Sequence, residues 1–323
     1  MSLGRVWNMF TDLVGSMVPS GGPSGGPSGG PSVGPSGAPS GGPHAVHPDK
    51  PYVAVESTNP GSLLPPTHWN RDRIALVDSL WGEGFIFPDG EQETLRLALP
   101  LGLSEASSLL LVGAGTGGPA CCIAAQLNAW VTAYEADPEL TVVARERSAR
   151  SGLGKRAAVK NWDPEVPNFS RRSFHHALTL EAFRGASPGL VLGAIFQGLR
   201  PSGELMLVEL VADEPLDPLD DEVVAWSRLE GRPPIVPSQQ AITGSLAGLG
   251  FDVRVTEDIS LRHMQQALYG WHRVIRRMAE KRPDHATAVV LVREAEMWLR
   301  RISLMRSGRI RLVRWDAIRS TAA

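Results

Sequence analysis

Six consecutive residues near the middle of the chain, Gly113-Ala114-Gly115-Thr116-Gly117-Gly118, have the types and spacing to cradle a nucleotide. They follow the apolar run 109–112 and open an apolar helical stretch, 118–127, so they fall where a buried strand turns into a helix. Glycine at such a turn permits a tight backbone path and lets a ligand approach the main chain. The helix start adds N–H groups that have no partner of their own. Twenty residues beyond Gly115 stands Glu135, at the tip of the next strand, in Tyr134-Glu135-Ala136-Asp137-Pro138. A carboxylate there can accept both ribose hydroxyls of an adenosine. The loop also satisfies G-x-G-x-x-G through Gly113, Gly115 and Gly118, so a dinucleotide and another adenosine-bearing cofactor both remain open.

Other residues suited to chemistry lie where further strands end. Asn161-Trp162-Asp163 follows the third strand, where an acid can bond an adenine amino group and an aromatic ring can pack on the base. Glu181 follows the fourth strand and Glu209 ends the fifth; Trp81 and Phe85 precede the core. Of these, Glu181 is the candidate for contact with a second substrate. The carboxyl ends of the strands, beside the topological switch point, are where such a site opens. His175 and His176 alternate along a strand and read as core or interface histidines, while His263, Tyr269 and His272 build neither a triad nor a metal site. The only cysteines, Cys121 and Cys122, are adjacent and have no metal-ligand spacing. They read as small buried helix residues in a reducing compartment. No metal is expected.

The elements that must position these residues emerge from the pattern of the whole chain. Its 323 residues, 42% hydrophobic and 20% charged, suit a packed globule, and a net charge of −2 gives no argument for a nucleic-acid partner. Residues 262–319 hold fourteen Arg or Lys against five acids, and 204–222 hold eight acids and no base; both tracts read as solvated faces. Residues 1–18 place Leu3, Val6, Trp7, Phe10, Leu13, Val14 and Met17 on one helical stripe. Residues 19–50 form a Pro/Ser/Gly-rich linker with almost nothing to bury. The first segment has three readings: an interfacial membrane helix, a docking helix for a partner protein, or a helix that folds back. There is no apolar run of membrane-spanning length and no signal-peptide pattern. A cytoplasmic protein, with peripheral membrane attachment as the variant, is therefore expected.

From residue 51 onward one domain is expected: a cap at 65–105, a core at 106–258, a helical insertion at 259–306 and a last strand at 309–316. Strand signals at 109–112, 130–134, 157–160, 174–180, 204–211 and 251–256 alternate with helical ones. Such alternation builds βαβ units and a parallel sheet covered on both faces. The insertion holds two long helices, 260–281 and 284–305, reading as a lid or a homodimer surface.

Three stretches resemble a known family. Leu199-Arg200-Pro201-Ser202-Gly203-Glu204-Leu205 resembles the helix, turn and fifth strand of class I S-adenosylmethionine-dependent methyltransferases. Residues 81–118, WGEGFIFPDGEQETLRLALPLGLSEASSLLLVGAGTGG, are similar to the cap and loop of those acting on phosphoethanolamine, sterols and polyketides, and 174–182, FHHALTLEA, to their fourth strand. The resemblance implies a Rossmann-like α/β fold, with a seven-stranded, mostly parallel sheet, helices on both faces and an antiparallel last strand beside the fifth. It implies S-adenosyl-L-methionine as cofactor and transfer of its methyl group to a small-molecule or lipid acceptor. The implied cofactor contacts are Gly113, Ala114, Gly115, Gly117, Glu135, Ala136, Trp162, Asp163 and Leu180, with Phe85 from the cap. Two positions depart from the pattern: Leu111 replaces an acid two residues before the loop, and His175 replaces an aspartate in the fourth strand. An NAD(P)-dependent oxidoreductase and a non-catalytic cofactor-binding scaffold are the alternatives.

Overall fold

The computed structural model describes residues 69–280 and 283–321. The helical reading of 1–18, the linker 19–50 and the first residues of the expected domain and cap lie outside the described residues. The described residues begin with α1 (Arg71–Trp81) and α2 (Gly90–Ala98), which runs into a short 3-10 turn, Leu99–Leu101. The core then alternates β1 (Ser108–Val112), α3 (Gly118–Gln126), β2 (Trp130–Glu135), α4 (Pro138–Arg150) and β3 (Ala157–Asn161). It continues with β4 (Phe174–Leu180), α5 (Pro188–Gly198), β5 (Leu199–Val211), α6 (Asp221–Glu230), α7 (Gln239–Leu249) and β6 (Phe251–Asp258). Two long helices, α8 (Ser260–Glu280) and α9 (His285–Arg306), precede β7 (Arg311–Arg319).

The strands form one sheet in the order β3-β2-β1-β4-β5-β7-β6. β1 to β5 pair in parallel, and β7 runs antiparallel between β5 and β6. Alternate side chains of each strand go to opposite layers because the strand period is two. Leu109 and Leu111 join the apolar cluster that also holds α1, α8 and α9 residues, while Leu110 and Val112 join the cluster under α5 and α7. With both faces covered, the inner strands read as continuous apolar runs.

Three differences from the sequence-based expectation have physical causes. β5 starts at Leu199 rather than 204, because Leu199 pairs with Phe174 before the chain bulges through 200–203 and resumes at Glu204 opposite His176. β7 extends to Arg319, past the apolar alternation, because it is paired on both sides: Met206 faces Asp316 and Phe251 faces Arg319. Helix α6 has no counterpart among the expected elements. It sits at the end of the acidic tract, capped by Asp220 through the Glu222 and Val223 N–H groups, and it buries Val223 and Trp226. Nor are the two charged tracts simply solvated, since Glu209, Arg301 and Arg319 are buried.

The cap docks on the glycine loop by backbone. The Gly118 N–H donates to the Gly84 carbonyl at 2.8 Å, and a Cβ on Gly84 would lie 2.7 Å from the Gly118 Cα. Only glycine fits at both positions. Asp78 of α1 fixes the approach, accepting from the Gly84 N–H at 2.9 Å and pairing with Arg147 of α4.

Candidate active site

The glycine loop holds its path through left-handed residues, with φ of +86° at Gly113, +56° at Gly115 and +95° at Gly117. The Gly113 and Ala114 N–H groups both donate to the Tyr134 carbonyl, which ties the loop to β2. Glu135, at the tip of β2, is buried, and its carboxylate accepts from the Gly115 N–H at 2.7 Å and the Asp137 N–H at 3.1 Å. Burial raises its pKa against the pull of Arg184 and those two N–H groups. A carboxylate offers about four lone-pair positions, so two stay available for further donors.

The other implied cofactor residues divide. Leu180 and Gly113 line one cavity at the carboxyl ends of β1, β4 and β5. Ala136 stays near Glu135, its carbonyl accepting from Asn161 Nδ2 at 3.0 Å. Asp163 is exposed, accepts from the Glu165 N–H, and lines a separate open groove of about 800 Å³. Arg184 lines both spaces and stands between them. The Trp162 ring turns inward, 5.4 Å from that of Phe169 within the apolar cluster. Phe85 packs toward Gly90 and Gly118, while its neighbours Ile86 and Phe87 line the cavity.

The cavity is narrow, about 80 Å³, room for a few small groups rather than for a whole cofactor. Glu181, Glu230 and Arg301 of its polar wall belong to an ion-pair chain gathered from four parts of the chain, which runs on outside the lining to Arg232 and Glu209. Glu181, in left-handed backbone (φ +47°) just after β4, pairs with Arg301 at 2.5 Å and Arg232 at 3.3 Å. Arg301 also holds Glu230 at 2.8 Å, and Arg232 stands 3.7 Å from Glu209. Burial alone would raise the Glu181 pKa, but Arg301, Arg232 and Arg184 outweigh it and hold the group below the usual carboxylate range. Glu181 is thus a fixed anion. Glu209 is the opposite case. Burial, with Glu181 nearby, pushes it up to about 7 in spite of Arg232, and it accepts from the Phe183 and Leu210 N–H groups.

Sequence reasoning did not reach Arg232, Glu230, Arg301, Arg73 or Glu294, and it set His263 aside. Arg73 pairs with Glu294 at 2.7 Å in the cavity lining, its guanidinium over the Trp69 ring. One signal was present: Glu294 and Arg301 fall seven apart on the same buried stripe of α9 as Leu291 and Trp298. Charges on an apolar stripe mark a buried ion-pair network. The two departures from the family pattern lie away from the cavity. Leu111 is a fully buried core residue of β1. His175 sits at the start of β4, its Nδ1 accepting from the Ser108 N–H at 3.0 Å, at the opposite strand end from Glu181.

The strand order, with β7 antiparallel between β5 and β6, defines the Rossmann-like methyltransferase fold. A dinucleotide fold of the 3-2-1-4-5-6 order lacks that inserted strand. Solved structures share the fold. Phosphoethanolamine N-methyltransferase 2 from Haemonchus contortus is similar at a TM-score of 0.65 and 16% identity, over 78% of this chain and 58% of that one. The chain thus spans under two thirds of that enzyme's length. A putative sarcosine dimethylglycine methyltransferase from Galdieria sulphuraria gives 0.61 and 16%, over 77% of this chain and 98% of that one. The [4+2]-cyclase SpnF gives 0.59 and 20%, over 77% and 94%. No family model and no curated protein sequence matches the chain. Among the described residues no helix is long and apolar enough to cross a membrane, and no cluster of metal-ligating side chains occurs.

Proposed function

We propose that the chain binds S-adenosylmethionine and transfers its methyl group to a small-molecule or lipid acceptor. The observation that carries this reading is Glu135, a buried carboxylate with unused lone pairs, clasped to Gly115 of the glycine loop whose Gly113 lines the cavity at the ends of β1, β4 and β5. The residues present fit the cofactor. Glu135 would take the ribose hydroxyls, Asp163 the adenine amino group, and Gly113, Gly115 and Leu180 the chain beyond. Ile86 rests against Gly115 and Arg184 divides the two spaces, so both flexible side chains must swing aside on binding.

When bound, the cofactor supplies a methyl group activated on a sulfonium. What remains for the protein is to align an acceptor with that group, and alignment can supply most of the acceleration of an in-line displacement. The cap residues Ile86 and Phe87 line the cavity together with residues of α8 and α9. Glu181 is read as a wall that orients the acceptor through its fixed charge, together with Arg301. A second reading, binding without methyl transfer, draws on the cyclase among the similar structures, since one fold hosts several chemistries. An NAD(P) oxidoreductase is disfavoured by the inserted antiparallel strand. Calorimetry with S-adenosylhomocysteine and with NAD is the test. We expect the former to bind and the latter not; NAD binding with no response to S-adenosylhomocysteine would overturn the proposal.

A further inference from the structure

The charges around the cavity are already matched. Glu294 is held by Arg73 at 2.7 Å, Glu181 and Glu230 by Arg301 at 2.5 and 2.8 Å, and Glu93 by Arg262 at 3.0 Å and Arg96 at 2.5 Å. Arg184, at the rim, has no ion pair among the described residues, but its charge faces Glu135, Glu181 and Glu230. Burying an ion without a counter-charge is strongly unfavourable, so a wall whose one cation outside an ion pair, among the described residues, already faces three carboxylates disfavours a phosphate or a carboxylate at the reacting end.

One polar group in that wall stands apart. His263, on the first turn of α8, is 7% exposed and lines the same cavity as Gly113 and Leu180. Its ring centroid lies 5.6 Å from that of Trp298, and its Nε2 is buried with no hydrogen-bond partner among the described residues. The charged groups facing it are Arg301 from α9, Glu230 from α6 and Arg262 on its own helix. Burial first, then Arg301, keep the imidazole neutral, well below its ordinary pKa; Glu230 pulls the other way, and Arg262 adds a smaller push downward.

We infer that the acceptor presents an uncharged protic group, a hydroxyl or a neutral amine, to this cavity, and that the His263 imidazole takes its proton during transfer. The inference rests on the methyltransferase reading. The step balances: a lone pair on the acceptor oxygen or nitrogen forms the bond to the methyl carbon, the O–H or N–H pair stays on that atom as its proton passes to the imidazole, and the methyl–sulfur pair goes to sulfur. The positive charge lost at sulfur reappears on the imidazolium, which faces the Glu230 carboxylate until the proton leaves to solvent. A base is needed here because a hydroxyl is a weak nucleophile while protonated. The small volume of the cavity limits what enters to the reacting end of the acceptor.

The test uses full-length protein labelled with 15N-histidine and saturated with S-adenosylhomocysteine, whose binding is measured by calorimetry on the same sample. The His263 ring signals are assigned by their loss in His263→Asn, or in His263→Gln if the first variant melts early. Ethanol serves as the neutral protic probe; inorganic phosphate, acetate and phosphoethanolamine serve as the charged ones. We expect a neutral ring at pH 7 and a saturable shift of its signals with ethanol alone. An imidazolium at pH 7, a response to the charged probes, or silence toward all of them would overturn the inference. If S-adenosylhomocysteine itself fails to bind, the underlying reading has failed; if it binds and His263 stays silent, only the inference has.

Discussion

The two halves of the carboxyl edge are built on different principles. On the β1–β3 side, the candidate cofactor residues lie within a stretch of some fifty residues, and the contacts that shape them are backbone N–H groups and carbonyls around Gly113, Gly115 and Tyr134. On the β4–β5 side, the cavity is walled by side chains drawn from Arg73, Glu181, Glu230, His263, Glu294 and Arg301, more than two hundred residues apart in sequence. A site made of backbone tolerates many substitutions around it. A site made of mutually paired buried charges tolerates few, because each partner removed leaves another uncompensated.

This contrast can be broken most forcefully at Arg301. Arg301→Ala should strand both Glu181 and Glu230 in the interior and destabilise the fold by about 3–5 kcal/mol. Urea unfolding of variant and parent would measure it, and a loss below about 1 kcal/mol would show that the chain of pairs does not bear on stability. Next comes the pH response of Glu209. Its folded pKa, about 7, lies above the unfolded value of 4.5, so the folded state holds the proton longer. Its contribution to stability is therefore full below about pH 4.5 and declines as pH rises through 7, by on the order of 3 kcal/mol. Glu209→Gln should flatten the stability profile between about pH 5 and 7.5, and an unchanged slope would count against the assignment. The smallest expected effect is on the backbone-built side. Glu135→Ala should weaken S-adenosylhomocysteine binding by about 1–3 kcal/mol while the protein stays folded. Unchanged affinity in a titration would remove Glu135 from the cofactor site.

How much was legible follows the same division. The loop, the acid at the tip of β2 and the α/β alternation rest on short-range rules: glycine conformations, strand period and helix period. Their expected positions fall within a few residues of where the structure puts them. Helix α6 escapes sequence reasoning because its Asp220-Asp221-Glu222 start looks like surface, although the same acids cap and stabilise a helix N-terminus. Trp162 illustrates the converse. Its place after β3 suggests a ring on the adenine, but Tyr134 and Phe169 draw it into the apolar layer instead.

The sequence by itself determined the sheet class, the glycine turn and the carboxylate twenty residues beyond it, since each depends on neighbours along the chain. Only the tertiary structure decided that Glu181 is locked between two guanidiniums and that Glu209 is pushed toward neutrality. It likewise decided that His263 lies buried with Nε2 unpartnered among the described residues. Charge state and exposure are set by what packs against a group in space, and α6, α8 and α9 bring those partners from distant parts of the chain.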